Sequence, residues 1–192
     1  IRDNFYDDKL ADYANEFNDT LAKLGYPYCD GKIMINNEQW RLPLSDFKRQ
    51  ISDWLSRTDD SMIWFATLLD AHYVCGDSEL FDELTAHIEY AYRHATPNFI
   101  NRFAKAILQF GDQSQFWQKF MGNSQSDIDL KKAGIFPIVH GVRTLALEHH
   151  ITATSTRTRL FELAKLGVLN KDTATNLVEA LDFFLSKRLE TA

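Results

Sequence analysis

Apolar side chains recur at helical spacing along almost the whole chain. From Phe5 to Leu24, the residues Phe5, Leu10, Tyr13, Ala14, Phe17, Leu21 and Leu24 fall mostly three or four apart, and Gly25 follows as a stop. That spacing predicts an amphipathic helix with these side chains on its buried face. The short apolar run Lys32-Ile33-Met34-Ile35, bounded by Gly31 and Asn36-Asn37, suits one strand or an extended connector. A second helix is expected over residues 45–57, with Ser45 as its cap and Phe47, Ile51, Trp54 and Leu55 buried. A third is expected over residues 61–74, closed by Gly76, and a fourth over residues 78–94 carries Leu80, Phe81, Leu84, Ile88 and Tyr92 on one side.

Pro97 stands where a fifth helix should make its first turn, and that helix carries Phe99, Ile100, Phe103, Ile107, Leu108 and Phe110. It extends in this reading through Phe116, Trp117 and Phe120, whose periodic spacing marks core rather than a cofactor box. Residues 122–126 hold no large side chain and form the clearest internal boundary. Three further helices follow over residues 135–149, 156–166 and 171–189, with Gly167 ending the second and Asn170 capping the third. The expected fold class is therefore mainly α, a helical bundle or array with one short strand. A lone strand leaves backbone groups unpaired, and the chain enters its first helix within a few residues of Ile1, so the reading includes missing sequence upstream.

Composition narrows the functional classes. The 192 residues include 45% hydrophobic and 13% aromatic positions, enough for a full core. Twenty-seven acidic residues against 21 Lys and Arg give a net charge of −6, which argues against a nucleic-acid surface while leaving room for a local basic pocket. Cys29 and Cys75 read as reduced thiols of a cytoplasmic protein. No apolar run reaches membrane-spanning length and no signal peptide opens the chain, so no membrane partner is expected.

The positive charge that does occur is concentrated late in the chain, at Lys131, Lys132, Arg143, Arg157 and Arg159. Arginine grips phosphate or carboxylate with two parallel hydrogen bonds, so these are candidates for an anionic ligand; the alternative is solvated helix-face charge pairing with Glu148 and Glu162. Arg143 stands among Ile138, Val139, Val142, Leu145 and Leu147, a setting that encloses it and demands a partner, for which Asp129 is the nearest suggestion. Asp70, in the segment from Leu68 to Gly76, has two readings, one that faces a cleft shared with Trp40 and Arg41 and the favoured one, an ordinary polar-face residue. The six histidines (His72, His87, His94, His140, His149 and His150) lack metal-ligand spacing, and no nucleophile triad is spelled out. No catalytic residue and no metal ligand is assigned.

Two segments carry a family resemblance. "LGYPYCDGKIMINNEQWR" (residues 24–41) resembles the bacterial nucleotidyltransferase-like family that sits behind cyclic-nucleotide-binding and CBS domains. "IDLKKAGIFPIVHGVRTLALEHHI" (residues 128–151), with "TRTRLFEL" (156–163), resembles that family's substrate-binding domain. The stretch "LLDAHYVCGDSELFDEL" (68–84) is similar to the helical region after the transferase domain of PII-protein uridylyltransferases. The resemblance implies a transferase-domain remnant at 1–57 and a helical substrate-binding domain at 58–192, in a signal-transduction protein. It also supports a ligand-facing loop that holds Asp129 and Lys131, beside the substrate-binding candidates Lys132, Arg143 and Arg159 that the charge pattern offers; Trp40 and Arg41 match the family segment and line a cleft between the two parts, or Trp40 packs over the seam as core. Such transferases hold Mg²⁺ and a nucleoside triphosphate on two strand aspartates after a Gly-Ser turn, which neutralises charge on the transferring phosphoryl group. The match begins downstream of that strand, so those aspartates are expected before Ile1 and this chain is expected to need no cofactor of its own. Met34 stands near where the uridylyltransferases place a further carboxylate, a departure from the pattern.

Ser126-Asp127-Ile128-Asp129 is spelled like the two-aspartate strand itself, since alternate strand residues point the same way. It runs into Lys131-Lys132-Ala133-Gly134 without the apolar continuation, and residues 122–125 leave little room for the phosphate turn. Three functions therefore stand side by side. The first is a substrate-binding or regulatory part of a nucleotidyltransferase, with its upstream transferase, CBS and cyclic-nucleotide-binding domains as partners. The second is a protein-interaction module that docks a small regulatory protein, and the third is an independent nucleotidyltransferase using Asp127 and Asp129.

Overall fold

In the computed structural model, residues 1–5, 7–57, 61–106 and 130–190 are described. The described residues form helices α1 (Leu10–Lys23), α2 (Leu44–Ser56), α3 (Ser61–Leu68), α4 (Ser78–Arg93), α5 (Phe99–Lys105), α6 (Phe136–Glu148), α7 (Thr156–Lys165) and α8 (Lys171–Glu190). A 3₁₀ turn at Glu38–Trp40 and a π-helical turn at Lys131–Ile135 complete the regular structure. The mainly α expectation holds. The strand expected at Lys32–Ile35 does not form: these residues run through bends and turns, and among the described residues no strand exists to pair with them. The expected helical core at Phe110, Phe116, Trp117 and Phe120, and the loop at 122–126, lie outside the described residues.

The chain divides into two compact units, one made of Ile1–Trp54 and Tyr73–His94, the other of Leu55–His72 and Ala95–Ala192. In the first unit, α1 starts later than its apolar pattern. Asp7 Oδ1 accepts from Lys9 N at 2.9 Å, which fixes the helix entry. Gly25 ends the helix at φ 95°, with Tyr26 N reaching back to Leu21 O at 3.0 Å. The buried stripe is rotated by one residue from the expected aromatic one. Ala14 and Asn18 are buried, while Tyr13 and Phe17 are 52% and 54% exposed. Small side chains at 14 and 18 allow the close approach that two aromatic rings would prevent.

Helix α2 buries Ile51 and Trp54 as its spacing predicts. Its cap is not Ser45 but Asp3, whose Oδ1 accepts from Ser45 N at 2.8 Å, because the N-terminal residues lie beside the helix start. Helix α4 is joined to α2 by Lys48 with Glu83 and by His87 Nε2 with Lys48 O, 3.0 Å apart in each case, and Asp77 caps its N-terminus.

The second unit has two layers of core. One is an aromatic triangle of Phe65, Phe99 and Phe103, with ring centroids 5.8 to 6.1 Å apart, on α3 and α5. The other is Val142, Leu160, Leu163, Ala174 and Val178, where α6, α7 and α8 meet. Asn170 caps α8 through Thr173 N at 2.7 Å, as expected. Helix α3 ends at Leu68, six residues short of the expected position. The carbonyl of Leu69 is taken by a side chain from α7, and Gly76 lies instead in the loop before α4.

Candidate functional site

Helices α3, α6 and α7 bring one carboxylate and two guanidinium groups together within the second unit. Asp70 sits in the turn that follows α3, with its backbone N–H donating to Thr67 O at 3.2 Å. Arg143, in the middle of α6, donates from Nε to Asp70 Oδ1 at 3.4 Å and from Nη2 to Asp70 Oδ2. Arg159, in the first turn of α7, brings Nη1 to 2.7 Å from Asp70 Oδ1 and donates from Nη2 to Leu69 O at 3.1 Å. The Arg159 side chain is only 3% exposed, Arg143 is 12% exposed and Asp70 33%, so the cluster opens to solvent on the side of its carboxylate.

The charge in this cluster does not balance. Two permanently charged guanidinium groups face a single carboxylate, and among the described residues no other carboxylate pairs with either. Arg159 Nε is buried with no hydrogen-bond partner among the described residues. Burial lowers the Arg159 pKa, and Arg143 pushes in the same direction, while Asp70 opposes both. An excess buried cation is costly, and it makes the site attractive to a further negative group.

His140 lies one turn before Arg143 on α6. Its Nε2 is 2.7 Å from Phe103 O, and its ring stacks on Phe103 at 4.7 Å between centroids. Burial pushes the His140 pKa down, Arg143 adds to that, and the bond to Phe103 works against it. A neutral imidazole donating to a carbonyl fits this setting.

Of the residues singled out in the sequence, Arg143 and Arg159 are brought together. Arg143 is enclosed, as its apolar neighbours imply, but the partner supplied by the fold is Asp70. Asp129, the suggested partner, lies outside the described residues, as does Asp127. Lys131 and Lys132 are exposed on the π-helical turn, where Lys131 Nζ lies 5.3 Å from the centre of the Phe136 ring. Arg157 points away to an exposed pair with Asp182 on α8, at 2.7 and 2.9 Å. Trp40 and Arg41 belong to the first unit. Trp40 packs on Trp54 and Phe47 at 5.7 and 6.3 Å, and Arg41 Nη1 donates to Ile35 O and Asn36 O at 3.1 and 2.7 Å. Arg41 thus ties the turn that replaces the expected strand. Asp70, for which the sequence favoured an ordinary polar-face role, is the acid that meets both arginines; its place directly behind the largely apolar stretch from Phe65 to Leu69 was the available signal.

Among the described residues, no group of three or more His, Cys, Asp or Glu could hold a metal ion. Cys29 and Cys75 are free and exposed. No helix among the described residues is long and apolar enough to cross a membrane.

No curated protein matches the chain, and no solved structure does. Residues 2–61 match the family model described as "Putative nucleotidyltransferase DUF294". Residues 97–192, half of the chain, match the one described as "Putative nucleotidyltransferase substrate binding domain", a stretch that includes Arg143 and Arg159 on helices of the second unit. The chain belongs to this nucleotidyltransferase substrate-binding family.

Proposed function

We propose that the chain serves a nucleotidyltransferase as its substrate-binding part, and that Arg143 and Arg159 hold the acidic group of the nucleotide or of the acceptor. The observation that carries this reading is the cluster in which two enclosed guanidinium groups, both from the half of the chain that matches the substrate-binding family, share the carboxylate of Asp70. Lys131 and Lys132 add exposed positive charge one to two turns before α6. Asp129 belongs to the proposed ligand-facing loop. The metal-binding aspartates belong upstream of Ile1, where Mg²⁺ and a nucleoside triphosphate would be held by the intact enzyme. The proposed setting is a bacterial cytoplasmic signalling protein, with CBS and cyclic-nucleotide-binding domains as partners and residues 1–57 as the transferase remnant.

Isothermal titration with ATP or UTP and Mg²⁺ tests this reading on the 192-residue chain, on the chain extended upstream through the missing strand, and on Arg143→Ala. Removing Arg143 leaves Asp70 paired with Arg159, and circular dichroism checks that the variant is folded. Binding that weakens on the order of tenfold or more is expected from loss of one charge-assisted contact. Unchanged affinity in a folded variant would refute the assignment.

A second reading rests on α1. Tyr13, Phe17 and Leu24 fall on one exposed side of that helix and its end, the kind of surface a protein-interaction module presents to a small regulatory partner.

A further inference from the structure

Asp70 differs from the two side chains it contacts in how it is held. Arg143 and Arg159 project from α6 and α7, whose buried residues Val142, Leu160 and Leu163 fix them in the core of the second unit. Asp70 projects from the non-helical residues after α3 and is the most exposed of the three. Its carboxylate occupies the place where an external oxyanion would meet both guanidinium groups. It satisfies them incompletely, since one negative charge faces two positive ones and Arg159 Nε stays without an acceptor among the described residues.

We infer that Asp70 is a displaceable internal ligand, and that the Arg143–Arg159 pair takes a phosphate or phosphate monoester that competes with the Asp70 carboxylate. The inference rests on the proposed anion-binding reading and adds both a ligand class and a regulatory contact. A phosphate monoester carries close to two negative charges at neutral pH and three free acceptor oxygens, which match the two cations and the unfilled donor better than a carboxylate does. Arg159 Nη2 remains on Leu69 O during the exchange, so the backbone at Leu69 stays tied while the side chain one residue later swings out. Occupation of the site is thereby coupled to release of the segment after α3.

The test titrates inorganic phosphate, AMP, ATP and adenosine into the 192-residue chain, its Asp70→Asn variant, and Arg143→Gln in each background. Asp70→Asn keeps the shape and removes the competing charge. It is expected to tighten phosphate and AMP binding by on the order of tenfold or more, since a charge within contact distance is removed. Arg143→Gln is expected to abolish the gain, and adenosine should not bind. Equal gains for phosphate and AMP identify free phosphate as sufficient, whereas a gain confined to AMP and ATP identifies a nucleotide phosphate. Equal or weaker binding of all the phosphates by Asp70→Asn overturns the inference. If ATP binds the wild-type chain and neither phosphate competition nor Asp70→Asn alters it, substrate binding stands and the displacement is refuted. Because Asp70→Asn removes a partly buried ion pair, the wild-type chain supplies an independent readout. Amide hydrogen exchange of residues 70–73 should accelerate on adding phosphate, and unchanged or slowed exchange refutes displacement.

Discussion

Gly134→Ala should destabilise this protein, although a simple helix argument gives the opposite sign. In a helix interior, replacing Gly by Ala stabilises by about 1 kcal/mol, because glycine loses more backbone freedom on folding. Gly134 lies in the π-helical turn before α6, and a Cβ added there would lie 2.7 Å from Phe184 Cδ1 and 2.8 Å from both Cδ2 and Cε1 on α8. Carbon atoms pack at about 3.5–4.0 Å, so the ring would have to retreat by roughly 1 Å. The ring cannot do so freely, because Leu181 and Val178 hold α8 in the core. Overpacking of this kind costs about 1–3 kcal/mol, which at its middle and upper range outweighs the propensity gain and leaves a net loss of up to about 2 kcal/mol. For a chain of this length the melting temperature should fall by up to roughly 8 °C, read by circular dichroism during a thermal scan and confirmed by a lower urea midpoint. The double-mutant cycle makes the cause explicit. In a Phe184→Ala background, Gly134→Ala should become neutral or stabilising, since nothing remains for the new methyl to meet. A single variant that melts at or above the wild type would refute the reasoning.

Two further outcomes follow from side chains whose partners are fixed. His140 is held neutral by burial, so its folded-state pKa lies below its unfolded value of about 6.5. The stability it contributes is present above that unfolded value and is lost as pH falls through it towards the folded pKa. His140→Gln keeps a donor for Phe103 O without the titration, and should flatten urea stability measured between about pH 7 and pH 5; an unchanged slope would count against the assignment. Arg102 caps the end of α2 by donating to Leu55 O, Ser56 O and Arg57 O at 2.6 to 3.0 Å, and to Thr96 Oγ1 at 3.2 Å. Arg102→Ala should cost about 2–3 kcal/mol in a denaturant titration, and a loss below about 0.5 kcal/mol would show that water replaces the cap.

Where a helix boundary is set by residues close to it, the sequence exposes it. Gly25 ends α1, Asp77 stands at the start of α4, and Asn170 opens α8, each acting within a few residues of its own position. The end of α3 was hidden for the complementary reason. The Leu69 carbonyl is taken by Arg159, 90 positions away, and no local pattern encodes that. The same distance separates the legible from the illegible half of the candidate site. The apolar neighbours of Arg143 announce that it is enclosed, but which acid meets it depends on how α3 docks on α6, and Asp70 lies 73 residues before it. The aromatic stripe of α1 misled in a different way. Periodicity marks which residues share a face, and packing selected the neighbouring face, where Ala14 and Asn18 permit closer contact.

The long reach of Arg159 also bears on how the chain is made. During synthesis the residues of α3 emerge well before the guanidinium that takes the Leu69 carbonyl, and before the one that grips Asp70. A nascent chain stopped short of residue 159 therefore holds an α3 whose end rests on its local backbone bonds alone, Asp70 N to Thr67 O and Ala71 N to Leu68 O. The final shape of that segment is a late event, completed only when α6 and α7 have been translated and docked. Arrested ribosome complexes of increasing length should show protection of Leu69 and Asp70 appearing only after α7 has left the exit tunnel.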